Sequence, residues 1–533
     1  MGANDPHGKI GTGQWMALSA ALLGWMFDGL EMGLFPLVAR PALQNLLPGM
    51  GEAEIGKWIS VTIATFLVGA ATGGVLFGWL GDRIGRVRAM MLSVLTYAIF
   101  TGLCGIATSA EQIAILRFIA ALGMGGEWSL GVALVMEIWP DKSRAFLAGL
   151  IGAAANVGFL LIALLSLGLV QFLQETEGIL LAVLPASWVE PLVSHSGWRI
   201  LMMMGALPAL LTFFIRFFVP ESERWQEEQA RGTTSNWAAK DLSGVLVGAG
   251  SVLFIIYLWA APYPFIVAVA KPLPWQLLGT LGGLIVATLG FLYPVTRYLG
   301  RVGMATGSTL PEVAPTVRRM LLGACLGGVA LLGTWASIQW APTWAHELSG
   351  EQAGAREYTQ ICSGLGAIVG TITAALAGGW FGRRITYFVM CLASLAAALV
   401  FFQLNSAYGT WFLVSVFVAG GVTASFYGWL PLYLPELFVT KVRATGQGFS
   451  FNFGRILAAV GALQTGTLMG LFKGETLSRF LHLLGLADSP NIVEFLQGKA
   501  GYPLACSIMS LIYLAGMVII WFAPETKGQA LPE

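Results

Sequence analysis

The chain has 533 residues, of which 56% are hydrophobic and only 11% charged, with a formal net charge of +1. A soluble globular chain carries about 25% charged residues, and so small a net charge offers no basic field for nucleic acid, which excludes both classes. The apolar residues fall in repeated runs of the roughly 20 that cross a hydrocarbon core of about 30 Å, so an all-α polytopic membrane protein is predicted.

The amino terminus, Met1 to Gln14, is polar and lacks an apolar stretch followed by a small-residue cleavage site. No cleavable signal peptide is expected, and the first span anchors the chain. Apolar runs predict spans over 15–39, 58–81, 89–109, 112–136, 145–170 and 199–219. A long loop over 171–198 carries the short, Pro-broken apolar piece Leu180 to Val193, which reads as lying at the interface. The polar segment Glu221 to Asp241 is a linker between halves. Spans over 245–270 and 275–297 follow, then 320–342, 359–381, 385–404, 410–434, 444–471 and 501–523, with a second long loop over 474–499.

That even number, fourteen, puts both termini on one side. Most of the 29 Lys and Arg residues then fall on the terminus side, which the positive-inside rule assigns to the cytoplasm of a plasma or inner membrane. Cys104, Cys325, Cys362, Cys391 and Cys506 lie scattered inside apolar runs, a pattern of neither disulfides nor zinc ligands. His7, His195, His346 and His482 fall outside the spans, which excludes an imidazole relay at the midplane. Gly364, Gly366 and Gly370 faintly resemble a nucleotide loop, but they sit in a charge-free span with no preceding strand, where close helix packing explains them. No catalytic residue, metal site, cofactor or ATP-driven motor is predicted.

Duplication is common in transporters. Trp79 and Gly81 recur about 300 residues later as Trp380 and Gly382, and Glu137 with Arg144 as Glu436 with Arg443. The expected organisation is a six-helix unit over 1–220, a linker over 221–243, an inserted helical hairpin and loop over 244–318, and a second six-helix unit over 319–533.

The loop Gly78-Trp-Leu-Gly-Asp82-Arg83-Ile-Gly85-Arg86 resembles the signature loop of the major facilitator superfamily. Arg117 to Glu127 in the fourth span, Glu137 to Arg144, Pro220-Glu221-Ser222 and Pro524-Glu525-Thr526-Lys527-Gly528 extend the resemblance over both halves. It is nearest the sugar porters and the proton symporters of organic acids, including the sialate, aromatic-acid and lactate types. The second signature loop, Gly382-Arg383-Arg384, departs by lacking the Asp. The resemblance implies two six-helix bundles of the major facilitator type, here with two extra central helices, and alternating access between them. Asp82, Arg83, Arg86, Glu137, Arg144, Glu436 and Arg443 form the expected gating network, against the plainer reading that they only fix topology.

Five charges lie well inside spans: Asp28, Glu31, Arg117, Glu127 and Arg455. A charge at the bilayer centre costs at least ~2.5 kcal/mol, so such residues face a cavity or a partner. Asp28 and Glu31 share a helix face, and Glu31 and Arg117 lie level, each roughly 10–12 Å below the outer end of its span. Arg117 is expected to pair with one of these acids, and protonation of the acid to break the pair; a permanent structural ion pair is the alternative. The sugar-porter resemblance implies the same acid and Arg for proton coupling.

Arg455 lies near the midplane, where its fork suits a carboxylate, with Asn452, Asn156 and Tyr427 as hydrogen-bonding neighbours. A latch between Arg455 and Glu127 is the competing reading. The expected function is symport of protons with a small organic anion such as a monocarboxylate, aromatic acid or sugar acid. The alternatives are a sugar transporter and a non-transporting membrane sensor. The partners expected are that solute, protons and the lipid bilayer, with no nucleic acid, for a chain working as a monomer.

Overall fold

The computed structural model describes residues 11–259, 273–306, 312–350, 352–471 and 501–533. The described residues are overwhelmingly helical. The first half contains α1 (Thr12–Leu46), α2 (Glu52–Ile84), α3 (Arg86–Cys104), α4 (Ala110–Ile138), α5 (Arg144–Leu167), α6 (Leu169–Leu181), α7 (Ala186–Met204) and α8 (Ala209–Phe218). Next come α9 (Glu223–Ala230), α10 (Leu242–Trp259) and α11 (Leu273–Thr306). The second half holds α12 (Val313–Trp335), α13 (Ala341–Leu348), α14 (Ala355–Phe381), α15 (Arg383–Leu404), α16 (Thr410–Ala424), α17 (Phe426–Tyr433), α18 (Arg443–Leu471), α19 (Tyr502–Ser510) and α20 (Ile512–Ile519). Thirteen stretches among the described residues are long and apolar enough to cross a membrane. The predicted span 444–471 is α18; the predicted loop over 474–499 lies outside the described residues.

The helix ends follow local chemistry. Ser109 accepts the Gln112 N–H at 3.3 Å to cap α4, and Ser222 accepts the Trp225 N–H at 3.3 Å to cap α9. Gly85 (φ 107°, ψ 154°) turns the chain from α2 into α3, and Gly382 (φ 97°, ψ 163°) does the same between α14 and α15. Both sit in the positive-φ region that favours glycine.

Close crossings set the helix packing. Without a hydrophobic drive in lipid, helices associate where small residues let backbones meet. Gly29 and Gly158 seat α1 on α5 with the Ala155 and Met26 carbonyls against them. Gly73 and Gly125 do the same for α2 and α4, and Gly366 and Gly370 for α14 and α16.

The predicted linker is folded. Its Trp225 and Trp237 are buried, and the Trp225 indole N–H donates to the Asp82 carbonyl at 3.0 Å. Trp237 stacks on Tyr298 with ring centroids 4.0 Å apart, and Arg301 pairs with Asp241. These contacts dock α10 and α11, which pack on each other. α10 lies on α2, while α11 touches α2, α12 and α18, so the pair straddles both halves.

The repeat is present, but its register differs from that of the Trp-Gly landmark. Gly85 corresponds to Gly382 by backbone conformation, and Arg86 donates to the Gly81 carbonyl at 2.8 Å as Arg383 does to Gly378 at 2.6 Å. Gly81 therefore matches Gly378, not Gly382. The recurring Trp-x-Gly pattern is one helical turn out of register: Trp79 is buried and Trp380 exposed.

Candidate functional site: a closed gate and a central cavity

On the side where both described ends lie, the halves are joined by buried charges. Arg86 donates to Asp82 at 2.7 Å and Glu137 at 3.2 Å, and Glu137 also accepts from Arg443 at 2.7 Å across the halves. Asp82 reaches the start of α18, accepting the N–H groups of Ala444 at 3.2 Å and Thr445 at 2.9 Å and the Thr445 hydroxyl at 2.6 Å. A carboxylate there meets the positive end of a helix dipole. The carbonyl of Pro532 accepts from Arg443, so the carboxy-terminal segment lies over the same junction.

The second half repeats the scaffold without the crossing acid. Arg383 clamps Glu436 through two nitrogens, at 2.6 and 2.9 Å. Glu221 accepts the Arg86 and Val87 N–H groups as Glu525 accepts those of Arg383 and Arg384, while Ser222 donates to Glu137 as Thr526 donates to Glu436. Burial raises the Glu221 carboxyl above its ordinary value. Burial pushes Glu525 the same way, but its backbone N–H donors outweigh that and hold it low. Gly379 takes the place of Asp82, and a Cβ on it would lie 3.1 Å from the Ala145 Cβ at the start of α5.

Not every predicted gating residue joins this network directly. Arg83 is exposed and stacks over the Trp79 ring at 5.0 Å, because it points off the opposite face of α2. Arg144 turns to Asp141 at 2.6 Å and to the Met136 carbonyl rather than to Glu137, which two other arginines already occupy.

In the first half, Arg117 forms a buried ion pair with Glu31, which also accepts from the Thr101 hydroxyl at 3.1 Å. Phe35 and Phe66 flank the Arg117 guanidinium at 4.5 and 4.2 Å. Asp28 does not join that pair. It faces Glu127, with Tyr97 beside them, and lies within Coulombic reach of Arg455.

Between the halves lies a cavity of about 120 Å³, lined by Trp25, Asn156, Phe159, Thr334, Gln339, Gln360, Tyr427, Phe451 and Arg455, among others. Arg455 is 6% exposed and its Nη1 has no hydrogen-bond partner; the Tyr427 hydroxyl and the Trp25 indole N–H are also buried and unpartnered. Phe451 runs beneath Arg455, 5.5 Å from its guanidinium, and stacks on Trp128. Gln339 lies just beyond α12 and Gln360 near the start of α14, so the cavity runs from mid-membrane away from the closed gate.

Two predicted site residues do not reach the cavity. Asn452 is fully buried and donates to the Gly125 carbonyl at 2.9 Å, bonding the halves on the gate side. Glu127 lies against Gly24 and Asp28 inside the first bundle, out of contact with Arg455, so the proposed latch is not formed. Spacing gives the depth of both residues but not their helix faces. Gln339, Gln360 and Trp25 were not singled out from sequence, because neutral polar groups stand out less in an apolar run than charges do.

A family model described as "Sugar (and other) transporter" matches residues 38–248. A metabolite transport protein of Haemophilus influenzae is 25% identical over 98% of this chain and 99% of its own. The cis,cis-muconate transport protein of Acinetobacter baylyi is 25% identical over 88% and 93%. Among solved structures, the proton:xylose symporter XylE of E. coli superposes with a TM-score of 0.60 at 18% identity, covering 97% of this chain and 98% of that one. The chain has the fold of the major facilitator superfamily and is similar in sequence to its transporters. The many apolar spans make it an integral membrane protein, and its sequence similarities lie with the sugar-porter and organic-acid branches.

Proposed function

We propose that this transporter carries a small organic anion together with protons, by alternating access, with its termini in the cytoplasm. The observation that carries the reading is Arg455: a buried guanidinium with an unpartnered nitrogen on the wall of the cavity between the halves. A carboxylate there gains the Arg fork, with Tyr427 and Trp25 as further donors. The volume favours a compact cargo, since a cavity of about 150 Å³ holds one benzene ring. That size suits a monocarboxylate or a single-ring acid better than a large sugar acid, and the similarity to a muconate transport protein agrees with it.

The coupling follows from charge balance. Asp28 is the acid nearest in influence to Arg455. An incoming anion takes over the guanidinium and leaves Asp28 without its countercharge, so anion and proton bind together. Glu31, paired with Arg117, is the second proton acceptor, and its protonation frees Arg117.

The amides of Asn156, Gln339 and Gln360 support a second reading, a neutral sugar held by hydroxyl contacts. Uptake into proteoliposomes decides between them. Wild type should accumulate labelled small carboxylic acids under an inward proton gradient, and Arg455→Gln should lose at least about tenfold, the equivalent of one charge-assisted hydrogen bond. Uptake of neutral sugar with no acid transport would reject the anion reading.

A further inference from the structure

A second cationic site lies outside the transport path, at the gate-side ends of α12 and α15. A groove of about 500 Å³ is lined by Arg318, Arg319 and Arg384 together with Leu322, Phe522 and Pro524. No acidic residue lines it among the described residues. Arg319 donates to the Leu437 carbonyl at 3.1 Å and Arg384 to the Ala523 carbonyl, both neutral partners, and Arg318 has no partner among the described residues. The acids nearby are engaged elsewhere: Glu525 with backbone N–H groups, Glu436 with Arg383, and Glu312 with Lys441. Three cations thus share one hollow with no countercharge among the described residues.

The walls say what kind of anion fits. Phe522 is 66% exposed and its neighbour Trp521 51%, at the end of the apolar stretch Tyr502–Phe522, and span ends are where aromatic side chains concentrate. The occupant therefore needs a charged head and an apolar body. We infer that the Arg318–Arg319–Arg384 groove binds the phosphate of an anionic phospholipid, with the acyl chains running past Leu322 and Phe522. Guanidinium forks match phosphate oxygens in pairs, and basic pockets between spanning helices at this level of the bilayer hold anionic headgroups. A free phosphate ion satisfies the arginines but leaves the apolar wall unused.

Native mass spectrometry of the full chain in detergent tests this, with dioleoylphosphatidylglycerol, dioleoylphosphatidylcholine and inorganic phosphate added separately. The expected result is retention of phosphatidylglycerol over phosphatidylcholine, weakened about fivefold by Arg318→Gln and lost when Arg319→Gln and Arg384→Gln are added. Should the triple variant fail to fold, Arg318→Gln alone carries the test, since that exposed side chain holds no other group in place. Equal retention of the two lipids, or no change on Arg318→Gln, overturns the site. Retention of inorganic phosphate equal to that of phosphatidylglycerol overturns the lipid as occupant.

Discussion

Charged side chains are scarce in the membrane interior, and this scarcity made Arg455, Arg117, Glu31, Asp28 and Glu127 visible in the sequence. What each one faces is a matter of helix rotation and tertiary packing. Arg117 could have met Asp28 or Glu31 from depth alone; the structure pairs it with Glu31 and leaves Asp28 beside Glu127. The two acids should therefore fail differently. Glu31→Gln removes the partner of a buried arginine, and breaking a buried pair costs about 3–5 kcal/mol, so both expression and uptake should fall. Asp28→Asn leaves that pair intact. It should bind cargo without needing a proton, so the affinity for a labelled acid, measured in detergent, should lose its pH dependence. Unchanged pH dependence in Asp28→Asn would remove Asp28 from the coupling.

Element by element, the spans were legible because hydrophobic length is a one-dimensional property. Interruptions were not: α16 gives way to α17 at Ser425 and α12 ends before α13, with no polar run to announce either. The folding of the linker was not legible, because composition counts its charges and not the two tryptophans that anchor it. The repeat slipped by one turn because a recurring Trp-x-Gly pair is a short signal, whereas the glycine that matters is marked by its positive φ. The crossing of α1 and α5 is a good place to test packing. Gly158 leaves room only for the Met26 carbonyl, so Gly158→Leu should cost more than the usual 1–3 kcal/mol of overpacking. A thermal midpoint in detergent equal to wild type would show that the helices part more easily than this.

For the molecule as a whole, the gate is lopsided. Asp82 holds the start of α18 across the halves, whereas the matching Gly379 offers α5 only close packing. Asp82→Ala should open the terminus side. Single cysteines placed behind the gate should then react faster with a membrane-impermeant maleimide applied from that side. Gly379→Asp introduces the missing acid and should slow the same labelling, provided α5 yields the few tenths of an ångström that a Cβ requires. Faster labelling in Gly379→Asp would mean that packing, and not a helix cap, keeps that seam shut.

The hairpin of α10 and α11 rests on α2 from one half and on α12 and α18 from the other, with Phe291 edge-on to Phe453 at 6.4 Å. Any swing of the two halves must therefore carry these helices along with one of them and drag them over the other. The folded segment through Trp225 and Trp237 moors the hairpin beneath α2, so the sliding surface falls where α11 meets α12 and α18, at Phe453 among others.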